Sequence, residues 1–216
     1  MNAEVGTPEG IALTRRLLRH VVGIYFDFRL SQERFQFVHT AFLFSVEARW
    51  LLMTAGHCVT QIDRIRAKGG VLTTCLLIDS MGEGAAYYQP IPFAYDDAHP
   101  MPIGVTENID YGVLLPRENT CQLLSANGIV PLDEQAWDAE PSEVKDYYLL
   151  GFPEQLNAYQ GNPIVALTPP NSEGTALYNL VASQRPAIGR DIKGMLMPPL
   201  GELLRDLLKG QIEISA

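Results

Sequence analysis

Trp50-Leu51-Leu52-Met53-Thr54-Ala55-Gly56-His57-Cys58 is the stretch on which the reading of this chain turns. Trp50 to Met53 have the composition of a β-strand, and Ala55 and Gly56 are small enough to let the backbone bend before His57. A strand that ends in a small-residue turn carrying one imidazole is suited to delivering that imidazole to a cleft. A lone histidine at such a place is more often a surface residue, so the surrounding sequence has to decide.

Working outward, the next informative stretch is Asn108-Ile109-Asp110-Tyr111-Gly112-Val113-Leu114-Leu115-Pro116. A carboxylate entering an apolar strand must find a partner or lose its hydration at heavy cost, and a histidine N–H is a suitable partner. An exposed aspartate at the start of a strand is also common, so this pattern alone does not pair Asp110 with His57. The third stretch is Gly189-Arg190-Asp191-Ile192-Lys193-Gly194-Met195, followed by Leu196-Met197-Pro198-Pro199-Leu200.

These three stretches carry a resemblance. Thr54-Ala55-Gly56-His57-Cys58 resembles the Thr-Ala-Ala-His-Cys motif of trypsin-like serine proteases, with Gly56 in place of alanine the one departure. Asp110 to Leu114 resembles the family's Asp-Ile-Ala-Leu-Leu motif, and Gly189 to Met195 resembles the approach to the nucleophile loop of bacterial members. Gly151-Phe152-Pro153 matches a further turn seen in such proteins. The resemblance spans roughly residues 35 to 195 and implies an all-β, mainly antiparallel fold, the chymotrypsin-like double β-barrel. It also implies that His57 is a general base, that Asp110 orients it, and that Gly194 with the amide of residue 196 supplies the oxyanion donors.

Where the family places Ser-Gly-Gly-Pro, this chain has Leu196-Met197-Pro198-Pro199, so Leu196 occupies the nucleophile position. Leucine has no lone pair for His57 to activate. Met197 and Pro198 replace two glycines of the oxyanion loop, and proline removes an amide donor. Ser125, Ser142, Ser172, Ser183 and Ser215 follow Asp110, but none sits in a glycine-rich turn, and Cys121 is no better placed. Three functions compete on this basis: a trypsin-like homologue that no longer hydrolyses peptides, a non-catalytic interaction module, and the truncated or frameshifted product of an active protease gene. Arg190 and Asp191 lie where the primary substrate pocket of the family has its floor.

Composition narrows the setting. The 216 residues are 47% hydrophobic, ample for a packed core. A net charge of −9 and a pI near 4.9 oppose nucleic-acid binding. No apolar run approaches the roughly 20 residues of a membrane-spanning helix. Arg15-Arg16-Arg19 and Arg64-Arg66-Lys68 read as solvated faces. The first ten residues hold Glu4, Pro8 and Glu9 without an apolar core, which is unlike a secretory signal. Cys58, Cys75 and Cys121 make an odd count without metal-ligand spacing. Relatives pair the cysteine after the histidine with one on the preceding strand. Here Phe35 to Val46 has none, so Cys58 is expected to be a buried free thiol and the protein cytoplasmic. No cofactor and no metal are implied, and a peptide or protein is the expected ligand.

The chain divides into residues 1–22, a helical extension; 23–116, a first barrel carrying His57 and Asp110; 117–143, an inter-barrel linker; and 144–216, an incomplete second barrel. Leu13, Leu17, Leu18 and Val21 recur at helical spacing, opposite Arg15, Arg16 and Arg19. Gly23 to Phe28 and Phe35 to Val46 predict a hairpin turning at Ser31 to Arg34, and His39 is expected at its surface. Val71 to Ile78 and Val144 to Leu150 are further strands, Ala85 to Tyr95 is a candidate strand broken by Pro90 and Pro92, and Pro163 to Thr168 and Thr175 to Ser183 are two more candidates; Asp96, Asp97 and His99 lie in an exposed acidic loop. Leu200, Leu203, Leu204, Leu207 and Leu208 predict a C-terminal amphipathic helix whose leucine face either covers the second barrel or docks on a partner protein.

Overall fold

In a computed structural model of the chain, the residues described are 16–78, 90–106, 109–133 and 135, with 8 and 12 near the N-terminus and two strands at 146–151 and 176–181. The fold is mostly antiparallel β-sheet with few helices. The strands are β1 (Val21–Leu30), β2 (Glu33–Val46), β3 (Arg49–Ala55), β4 (Val71–Ile78), β5 (Ile91–Pro92), β6 (Met101–Thr106), β7 (Ile109–Leu114), β8 (Asp146–Gly151) and β9 (Ala176–Val181). Helix α1 covers Gly56–Ala67 and α2 covers Glu118–Ala126; a 3-10 turn occupies Asp96–Ala98. One sheet has the order β5-β4-β1-β2-β3-β7-β6, and β8 pairs with β9 in a second. The two outermost strands of the large sheet, β5 and β6, are consecutive in the chain.

The sheet follows from its sequence. Val21-Val-Gly-Ile-Tyr-Phe-Asp-Phe28 is apolar almost without a break because β1 is buried on both faces. Its even positions, Val22, Ile24, Phe26 and Phe28, enter the largest core cluster. Its odd positions, Val21 and Tyr25, join Leu18, Val38, Leu76 and Ile78 on the other side. Phe37 stacks on Phe26 and Phe28 with ring centroids 5.3 and 5.9 Å away, which fixes how β2 lies on β1. The hairpin turns at residues 31–32, with Ser31 at φ 55°. The β2–β3 turn places Glu47 and Ala48 at φ 49° and 64°, the signs a type I′ turn requires. Asp27, 3% exposed, is the one charged side chain in the core among the described residues, and Arg34 binds both of its carboxylate oxygens across the hairpin.

Several sequence expectations meet a different structure. The histidine does not sit on a turn: β3 runs directly into α1, and His57 is the second helical residue. Within 117–143, α2 sends Leu124 into the main core beside Ile129, and the chain then pairs alongside β2, where Ser45 N–H donates to Leu132 O at 2.7 Å. Residues 118–132 thus pack on the first sheet. Asp96, Asp97 and His99 are exposed, as expected, but the two carboxylates are paired: Arg66 holds Asp96 and Arg117 holds Asp97. That also removes Arg66 from a purely solvated face. His39 is half-buried and not a surface residue of the kind expected. It stands opposite Ile24 on β2, its ring packs on Phe26 and Phe37, and its Nε2 is sealed from solvent.

Other expectations agree. The β1–β2 hairpin, β4, β8 and β9 lie where the sequence put them, within a few residues. Cys58 is buried and forms no disulfide. Residues 8, 12 and 16–18 have helical backbone, in register with the predicted amphipathic helix. The 163–168 strand, Gly194, Leu196 and the leucine-rich helix lie outside the described residues. Among those described, no helix is long and apolar enough to cross a membrane.

Candidate active site

The site is assembled by strand register. β3 and β7 are antiparallel neighbours with Thr54 opposite Gly112 and Ala55 opposite Tyr111. One step further along the same register, Asp110 faces Gly56, beside the first turn of α1. Two residues 53 positions apart in sequence are thereby brought together: His57 Nδ1 lies 2.5 Å from Asp110 Oδ2, and His57 backbone N–H donates to Asp110 Oδ1 at 2.7 Å.

This carboxylate has two tasks. Helix α1 begins without a side-chain cap from Ala55 and without an acidic residue in its first turn. The first N–H groups of a helix need acceptors, and its N-terminus attracts negative charge. Asp110 meets that need from another strand while its second oxygen holds the imidazole. The hydrogen bond from the His57 side chain holds the Asp110 carboxyl below the usual carboxylate range, with the backbone N–H groups of His57 and Gly56 adding to the effect. With Nδ1 engaged on Asp110, the proton of the neutral ring resides on Nδ1 and the lone pair on Nε2. The His57 side chain is 68% exposed and that of Asp110 is 42% exposed. The imidazole can therefore take a proton from a group arriving from solvent, which is the work of a general base.

Two glycines make the approach possible. A Cβ on Gly56 would lie 2.7 Å from Tyr111 O and 2.8 Å from Asp110 Oδ1. Gly56 is needed for this close packing and not, as its place before His57 suggested, to bend the chain. A Cβ on Gly112 would meet Val59 Cγ2 at 2.6 Å, so Gly112 lets α1 rest against β7. Gly112 was not singled out from the sequence, although a small residue inside an apolar strand was the available signal.

Behind the dyad, Thr54 Oγ1 donates to Thr40 O at 2.8 Å, tying the end of β3 to β2. His39 lies on the same side of the sheet as this junction. Burial, together with the nearby His57, pushes its imidazole down to about 4, so His39 is neutral at physiological pH. The Cys75 thiol, which is also buried, is pushed up by burial and is not a thiolate. Among the described residues there is no group of three His, Cys, Asp or Glu side chains that could hold a metal ion.

The structure thus brings His57 and Asp110 together as the sequence predicted. Scans against protein-family models, curated proteins and solved structures return no match.

Proposed function

We propose that this chain is a homologue of the trypsin-like serine endopeptidases that keeps the base and its orienting carboxylate but lacks the nucleophile, and so does not hydrolyse peptide bonds in this form. The observation that carries the reading is the contact of His57 Nδ1 with Asp110 Oδ2 at 2.5 Å, made by two residues whose flanking sequences both resemble the family's motifs. Its support from the fold is more general: an antiparallel sheet whose first and last strands are consecutive in sequence is suited to closing into the first barrel of a chymotrypsin-like pair. In that reading β8 and β9 belong to a second barrel.

The chemistry follows from what is present. A base oriented by a carboxylate can accept a proton from an attacking hydroxyl, but Leu196 offers none, and Met197 and Pro198 deprive the oxyanion loop of its glycines. A peptide or protein segment is the ligand that the resemblance implies, and the acidic chain is ill suited to nucleic acid. The protein acts in the cytoplasm in this account, where Cys58, Cys75 and Cys121 remain reduced.

Labelling with a fluorophosphonate probe, together with hydrolysis of a mixed peptide library, tests the proposal. The unaltered chain should neither label nor cleave, and Leu196→Ser alone should restore little because residues 197 and 198 still distort the loop. Labelling of the unaltered chain that disappears in His57→Ala would show a nucleophile outside position 196 and overturn the reading.

A further inference from the structure

A small internal cavity lies behind the helix that carries His57. Phe26 and Leu114 line it, as do Thr54 and Cys58, which bracket His57 in the chain; His39 and Tyr95 complete the polar part of its wall. Tyr95 is 3% exposed and its Oη is sealed from solvent, as is His39 Nε2. Neither atom has a hydrogen-bond partner among the described residues. Leaving a buried polar group unpaired is costly, and native interiors rarely tolerate it. Both rings pack on Phe26, with centroids 5.5 Å away for His39 and 5.1 Å for Tyr95, and both residues line the one space.

The size of that space selects its occupant. It leaves about 10 Å³ for the centre of a water-sized sphere, close to what one water needs. We infer that the cavity is a binding site for a single water molecule that bridges His39 Nε2 and Tyr95 Oη. Water can donate to one partner and accept from the other, so it serves either tautomer of the histidine. Thr54 Oγ1 spends its proton on Thr40 O, and its oxygen remains able to accept a third bond. Burial keeps both partners uncharged, pushing His39 down to about 4 and the Tyr95 phenol upward, so the water meets neutral groups only. The bridge ties the connection between β5 and β6, where Tyr95 lies, to β2 and to the β3–α1 junction that positions His57.

The test compares the full-length chain with the variant His39→Leu/Tyr95→Phe by oxygen-17 relaxation dispersion, which counts waters held longer than the molecule tumbles. The wild-type chain should hold one more such water than the variant. An equal count would overturn the inference. Should the double variant fail to fold, a crystal structure of the wild-type chain decides: a density peak within hydrogen-bond distance of both atoms supports the site. A protein group bonded to either atom, or a cavity without density, overturns it.

Discussion

Replacing His39 by leucine should flatten the acid limb of the stability profile. The imidazole projects from β2 and packs on Phe26 of β1 and Phe37 of its own strand, where burial lowers it from 6.5 to about 4. In the unfolded chain the same group takes up a proton near its ordinary value, so between those two pH values the unfolded state binds more protons than the folded state. Stability therefore rises with pH across this window and is lost as pH falls through it. A shift of about 2.5 units at about 1.36 kcal/mol each is worth about 3 kcal/mol in full, of which about 2 kcal/mol is already gone at pH 5. The groups facing the ring are His57, whose charge also disfavours protonation, and Cys58 and Tyr95 around the shared cavity. Carboxylates elsewhere titrate in both proteins and cancel in the comparison. Urea unfolding at pH 7, 5.5 and 4.5 for wild type and His39→Leu would measure the difference in slope. The wild-type chain should lose about 2–3 kcal/mol more than the variant over this range. Parallel profiles would mean that His39 is not sealed in the folded state, and would refute the reasoning.

Three further outcomes are expected. Asp110→Ala strips the first turn of α1 of its acceptor and should cost about 1 kcal/mol in chemical denaturation at pH 7. Because the Asp110 carboxyl is held low by His57, its stabilising effect is present above its ordinary value and is lost as acid drives it through the lower folded value, so wild type and variant should converge at low pH. Gly112→Ala should destabilise by about 1–3 kcal/mol through the clash with Val59, and Val59→Ala in the same chain should recover part of it; additive losses would remove the steric explanation. Leu124→Ala should cost about 2–5 kcal/mol, as expected for a core residue, and a loss below about 0.5 kcal/mol would show that α2 does not belong to the first folding unit.

The legible parts of the sequence were those whose cause is local. Trp50 to Met53 and Val71 to Ile78 announce strands by β-branched and apolar composition, and the β1–β2 hairpin is marked by a short polar turn between aromatic runs. His57 and Asp110 were legible through the motifs that their flanking residues resemble, since position at the edge of an apolar run does not by itself separate either from a surface residue. Helix α1 was not. Cys58, Val59 and Thr60 are weak helix formers, and the acceptor that starts the helix arrives from Asp110, far away in the chain. His39 was misplaced for a related reason. An alternating strand suggests one wet face, but β2 is covered on both sides along its middle, so alternation there no longer separates inside from outside. Gly56 and Gly112 look like interruptions in sequence, and only the packing of α1 against β7 reveals that the missing Cβ atoms are what the site requires.

The central claim is that Asp110 holds His57 by Nδ1 and leaves the Nε2 lone pair open as a base. Long-range proton–nitrogen NMR of the neutral His57 ring reads this directly, because the protonated and lone-pair nitrogens resonate far apart. The account predicts the Nδ1–H tautomer in the wild-type chain and a return to the Nε2–H tautomer, which free histidine favours, in Asp110→Ala. An Nε2–H tautomer in the wild type, unchanged by the substitution, would contradict it.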